Sequence, residues 1–127
     1  MSPTTPTVSP LLSGIKDLLG IPKEELSFDA QLVMYINSVL ETMHQMGFGP
    51  NPTYKITKTD GAIDDFLPND EGVQEFAMLY IYHKVRLMFD PPTSSFVLAS
   101  LQSIISEYEW RLTNYASIMA SVPEVTE

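Results

Sequence analysis

The sequence predicts a mainly α protein: a small bundle of about four helices, with a projecting loop or small β-hairpin around residues 47–67. Three observations predict it. Apolar residues recur at three- and four-residue spacing over four separate stretches, the signature of helices that bury one face. The Pro91-Pro92 pair divides the two longest stretches and forces a corner between them, because proline lacks an N–H and restricts the residue before it. Between residues 47 and 67 the helical period gives way to turn residues.

Residues 1–10 are rich in Pro, Thr and Ser and read as a flexible arm, with a helical domain over 11–120 and a tail over 121–127. The first helix runs from about Leu11 to Leu19, with Leu11, Leu12, Ile15, Leu18 and Leu19 at helical spacing and Gly20 as its stop. A connector, Ile21 to Leu26, leads to the second helix. Ser27 is its expected N-cap and Asp29 suits its positive end. Its stripe is Phe28, Leu32, Ile36, Val39, Leu40, Met43 and Met46, and Gly47 ends it.

The turn-rich segment that follows holds Phe48, then Tyr54 and Lys55 in an alternating run of β propensity, then Lys58 ahead of the Asp60-Gly61 turn dipeptide. Asn69 is the expected cap of the next helix. Acidic residues lie in its early turns and Lys84 and Arg86 in its last, an order that follows the helix dipole. Its stripe is Val73, Phe76, Ala77, Tyr80, Ile81, Val85, Leu87 and Met88.

At the corner, Asp90, Pro91, Pro92, Thr93 and Ser94 break the chain and offer hydroxyl caps to the last helix, which runs from about Ser95 to Ala120. That helix is about 39 Å long against about 30 Å for its antiparallel partner. It should overhang by roughly two turns. Leu112, Tyr115, Ile118 and Met119 fall on the overhang, Trp110 lies off the main stripe, and Val122 opens the tail. An exposed apolar end of this kind marks an interface, so an oligomer or a complex is expected.

Composition limits the chemistry. The 127 residues carry sixteen Asp and Glu against seven Lys and Arg, a net charge of −9, and no cysteine. The excess of negative charge argues against a nucleic-acid site and against adhesion to an anionic membrane, and Lys55 and Lys58 are too few to make either. Thiolate metal sites are excluded, and the lack of cysteine suits an intracellular setting. No signal peptide or membrane span is read, so a soluble chain is expected. The two histidines, His44 and His83, lie on different helices without a zinc-binding spacing. Asp60, Asp64, Asp65, Asp70, Glu71 and Glu75 form an acidic run that lacks the alternation of a calcium loop. It reads as a solvated face, or as a wall that repels a passing polyanion. No catalytic, cofactor or metal site is assigned.

One group of residues carries a resemblance. It comprises Leu18-Leu19-Gly20-Ile21, Phe28-Asp29-x-x-Leu32 through Val39, Gly47-Phe48-Gly49-Pro50 and Asp64-Asp65-Phe66-Leu67-Pro68. The run from Tyr80 to Phe96 through Asp90-Pro91-Pro92-Thr93-Ser94-Ser95, and Glu107-Tyr108-Glu109-Trp110-Arg111-Leu112, complete it. Over roughly Leu11 to Tyr115 the chain resembles the head–tail connector (adaptor, head-completion) family of long-tailed, siphovirus-type phages and prophages. The resemblance implies a non-enzymatic virion protein of the head–tail neck, present in host cytoplasm during assembly. It implies a ring, typically a dodecamer, that binds the portal protein, extends the DNA channel without gripping DNA, and receives a stopper or tail protein. The end of the last helix and the tail are expected to meet the portal, and the 47–67 loop a neighbouring subunit, the lumen or the next ring. Two other readings are weighed: a helical adaptor for a single host protein, and a metal-dependent hydrolase built on the acidic 60–75 segment.

Overall fold

The computed structural model describes residues 8–50, 52–68 and 71–121. Most of the expected flexible arm, the Asn69 cap, Asp70, and the tail with Val122 lie outside the described residues. Five helices are present among those described: α1 (Pro10–Leu19), α2 (Asp29–Met46), α3 (Ile63–Phe66), α4 (Glu71–Phe89) and α5 (Ser95–Ser121). No strand occurs among them, so the class is mainly α, and the expected β-hairpin is absent.

α4 is the hub: it touches α1, α2, α3 and α5. Its Ala77, Tyr80, Ile81 and Val85 meet Leu11, Leu12 and Ile15 of α1, the α2 row from Leu32 to Met43, and Leu101, Ile105 and Leu112 of α5 in one core. Each such side chain contributes roughly 1.5–3 kcal/mol on leaving water. Phe76 against Tyr108, with ring centres 4.4 Å apart, marks the antiparallel α4–α5 seam. Two aromatic pairs fix the direction of α2. Phe28, before its start, meets Phe89 at the end of α4 at 5.1 Å, and Phe48, after its end, stacks on Tyr115 late in α5 at 6.1 Å. Thus α2 runs parallel to α5 and antiparallel to α4.

The start of α2 differs from expectation. Ser27 does not cap the helix, because its hydroxyl and its N–H both donate to the Glu25 carboxylate at 2.5 and 3.1 Å. Those two bonds hold the Glu25 carboxyl below its ordinary range. Asp29 opens the helix instead, and its carboxylate accepts the Lys16 ammonium at 2.9 Å in a pair under a tenth exposed. Lys16 also donates to the Glu25 carbonyl at 2.7 Å, so one buried cation joins α1, the connector and α2.

The 47–67 segment neither projects nor pairs as a hairpin. Ile56 meets a side chain where a hairpin would meet a second strand. Asn37 accepts the Ile56 N–H at 2.8 Å and donates to the Ile56 carbonyl at 3.0 Å, satisfying both backbone groups of a buried residue. Ser9 and Leu11 then bind the far side of the turn: their N–H groups donate to the carbonyls of Lys58 and Gly61 at 3.0 and 3.1 Å. The Ser9 hydroxyl donates to the Gly61 carbonyl at 2.6 Å while accepting the Leu12 N–H as the cap of α1. Gly61 sits at φ +128°, where a Cβ would run into Ile56, so the turn requires glycine.

Candidate interaction surface

α5 has 27 residues and α4 has 19, so eight residues, about 12 Å of helix, extend past the partner. The core end differs from the expected one. Leu112 is 1% exposed and belongs to the chain's own core rather than to the overhang, at the level where Gly72, Val73 and Phe76 of α4 still face α5. Tyr115 is half-buried by its stack on Phe48. The exposed apolar end begins later, at Ile118 and Met119, which are 58% and 54% exposed. Met119 lies seven residues beyond Leu112, two turns along the same helix face, so the core-facing row of α5 continues past the last core layer.

Between this end and the folded-back loop lies an open groove of about 800 Å³. Its floor is Phe48, Phe66 and Leu67, and its α5 wall is Tyr115, Ala116 and Met119. Gly49 on its rim adopts φ +82°, and a Cβ there would strike the Phe66 ring. The short helix α3, which supplies Phe66, was not legible as an element, although Asp64 and Asp65 ahead of an apolar pair are the usual signal of a helix start.

The acidic run is surface. Asp60, Asp64, Asp65, Glu71 and Glu75 are all exposed. Asp65 accepts the Tyr54 hydroxyl at 2.9 Å, and that hydroxyl accepts the Ala62 N–H at 3.1 Å. Partial burial, joined by the Asp65 carboxylate, pushes the Tyr54 phenol upward. Among the described residues no group of three or more His, Asp or Glu could hold a metal ion, and no helix is long and apolar enough to cross a membrane. Lys55 and Lys58 are exposed and apart from the α5 end. Glu41, on the outer face of α2, is held below its ordinary range mainly by a hydrogen bond from Thr53.

At the corner, Ser94 caps α5: its carbonyl accepts the Leu98 N–H at 2.9 Å and its hydroxyl accepts the Val97 N–H at 3.4 Å. Asp90, Pro91 and Thr93 are exposed and Pro92 is half-buried, so the corner turns the chain without forming a pocket. Trp110 stands 67% exposed on the side of α5, away from the groove.

A helical hub with an uncovered apolar helix end is the geometry of a component that docks to other proteins. A family model described as phage connector protein matches residues 11–117. The chain belongs to the phage connector protein family. No curated protein and no solved structure matches it. The match begins at the second residue of α1, takes in α2, α3 and α4 whole, and stops in α5 at residue 117, just before Ile118. Connectors are structural rather than enzymatic components that associate with other head and tail proteins of the phage.

Proposed function

We propose that this connector forms a ring beneath the portal of the filled head, extends the DNA channel, and presents the platform on which a stopper or tail protein assembles. The observation that carries the reading is the continuation of the core-facing row of α5 beyond the core, which leaves Met119 more than half exposed beside an apolar groove. Burying such residues against a partner is worth roughly 1.5–3 kcal/mol each, and the portal is the partner assigned to this end. Tyr115, Ile118 and Met119 would line that contact. Leu112 would act only by supporting the helix beneath them. The net charge of −9 suits a conduit that lets DNA pass without holding it.

The test is an image of recombinant connector mixed with portal particles, together with a chain that ends at residue 117. The full chain should add a closed ring of density under the portal. The shortened chain retains the Phe48–Tyr115 stack, so it should stay helical and fail to dock. Normal docking by the shortened chain would remove the α5 end from the portal contact. No added density with the full chain would end the reading.

A further inference from the structure

α5 carries a second exposed row along its side. Val97, Ile104, Arg111 and Ile118 recur at seven-residue intervals, two turns apart, and so form one strip distinct from the buried row of Leu101, Ile105 and Leu112. Val97 and Ile104 are 43% and 39% exposed, and Trp110 beside them is 67% exposed. Arg111 is the only cation on α5. Its contact with Glu107, at 3.5 Å with both side chains more than half exposed, is of the kind that contributes little and exchanges readily. Aromatic residues and arginine in an apolar setting are the usual anchors of a protein interface.

The outer face of α2 is the complement of this strip in charge and in spacing. Met34, 72% exposed, and Glu41, exposed, are separated by the same seven residues as Ile104 and Arg111. Glu41 is the only carboxylate of α2 outside the buried Lys16 pair. The heights also agree. The Phe28–Phe89 and Phe48–Tyr115 pairs set α2 parallel to α5, with its start at the corner and its end at Tyr115. Met34 is six residues after Phe28 and Ile104 is nine after Ser95, so the two stand within one turn of the same level.

We infer that the side of α5 packs on α2 of a second copy of this chain, with Ile104 against Met34 and Arg111 paired with Glu41. The two patches are different surfaces, so the contact is head-to-tail and generates a ring or a helix rather than a pair. Their heights agree to within one turn, close enough for a ring in which the helices of neighbouring subunits stay nearly parallel, with a slight tilt taking up the difference. The inference rests on the ring reading and adds which surfaces close it.

The chain has no cysteine, which makes cross-linking clean. A variant with both Ile104→Cys and Met34→Cys, assembled alone or on portal particles and treated with a short bis-maleimide, should give a ladder of covalent multimers. Each single variant should give no covalent dimer. Arg111→Glu and Glu41→Arg, each alone, should lower the assembled fraction at least tenfold, and the two together should restore it. Both sites are exposed and Glu41→Arg gives up only the hydrogen bond from Thr53 at the helix surface, so helical circular dichroism should be unchanged. Covalent dimers from Ile104→Cys alone, or an intact assembly whose double-cysteine variant stays uncross-linked, would overturn this contact while leaving the ring. A chain that stays monomeric by mass measurement, alone and with portal particles, would remove the ring and this contact together.

Discussion

Tyr80 donates its hydroxyl to the Glu109 carboxylate at 2.8 Å across the α4–α5 seam, with the Lys84 ammonium 3.6 Å from the same carboxylate oxygen. The phenol ring is fully buried, so this bond fixes the register of the long helix on the hub. Tyr80→Phe keeps the ring and removes the bond. It should cost about 1–2 kcal/mol in urea unfolding, near the lower end for a bond to a charged group, because water reaches the freed carboxylate. Burial, and then the Glu109 carboxylate, push the Tyr80 phenol well above its ordinary value of 10.0. The neutral phenol is therefore favoured in the folded chain. Its contribution is complete below the ordinary value and is lost as the pH rises beyond it. The alkaline loss of stability above about pH 10 should be smaller in Tyr80→Phe than in the parent chain.

His83 has the opposite sign. Its ring lies between Tyr82 and Tyr108, with centres 4.9 and 5.6 Å away, and its buried Nδ1 has no hydrogen-bond partner among the described residues. Burial, and then the Arg86 charge, hold it below the ordinary 6.5. The folded chain favours the neutral ring, so stability is full above that value and falls as acid protonates the unfolded chain first. Melting temperature followed from pH 7.5 down to pH 5 should decline in the parent chain and decline less in His83→Gln. The lowered carboxyls of Glu25 and Glu41 enter only below their ordinary 4.5, outside this window.

Asn37 holds the loop. Asn37→Ala would leave both backbone groups of Ile56 without their partner, at about 1–3 kcal/mol for each group that stays buried. Amide exchange should accelerate most over residues 54–62, with the α4 core protected. Uniform acceleration over the whole chain would assign Asn37 to global stability instead.

Leu112 and Met119 separate core from interface. Leu112→Ala empties a fully buried site and should cost about 2–5 kcal/mol. Met119→Ser changes an exposed position and should move stability by no more than about 0.5 kcal/mol. Its effect should appear in portal binding, measured by co-sedimentation with portal particles.

The helices were legible because their apolar spacing is regular and their stops are chemical. Gly20, Gly47 and Pro91-Pro92 end α1, α2 and α4 where expected. What failed to show in the sequence depends on contacts between distant segments. Tyr54 to Thr57 has strand propensity, but the partner of Ile56 is an asparagine side chain from the middle of α2, which no local pattern announces. Ser27 had the right chemistry for a cap and was taken by Glu25 two residues earlier. Leu112 was placed on the overhang from helix lengths alone. Phe48 and Phe66 return to the same core, Phe48 onto Tyr115 of α5, and that return is invisible until the loop is folded. Spacing alone puts Trp110 off the main stripe of α5, where it is 67% exposed, whereas Met34 has the character of ordinary core filler and gives no sign of the exposed face of α2.

The Ser9–Gly61 tether joins positions 52 residues apart. Bundles whose contacts are mostly local fold fastest, and closing a long chain circuit carries an entropic cost that grows with its length. Here the first turn of α1 gains its bonds to Lys58 and Gly61 only once the middle of the chain has come back to it. A newly made subunit completes its fold only when its beginning meets its centre, and a fusion placed ahead of Ser9 succeeds only if it leaves that meeting point clear.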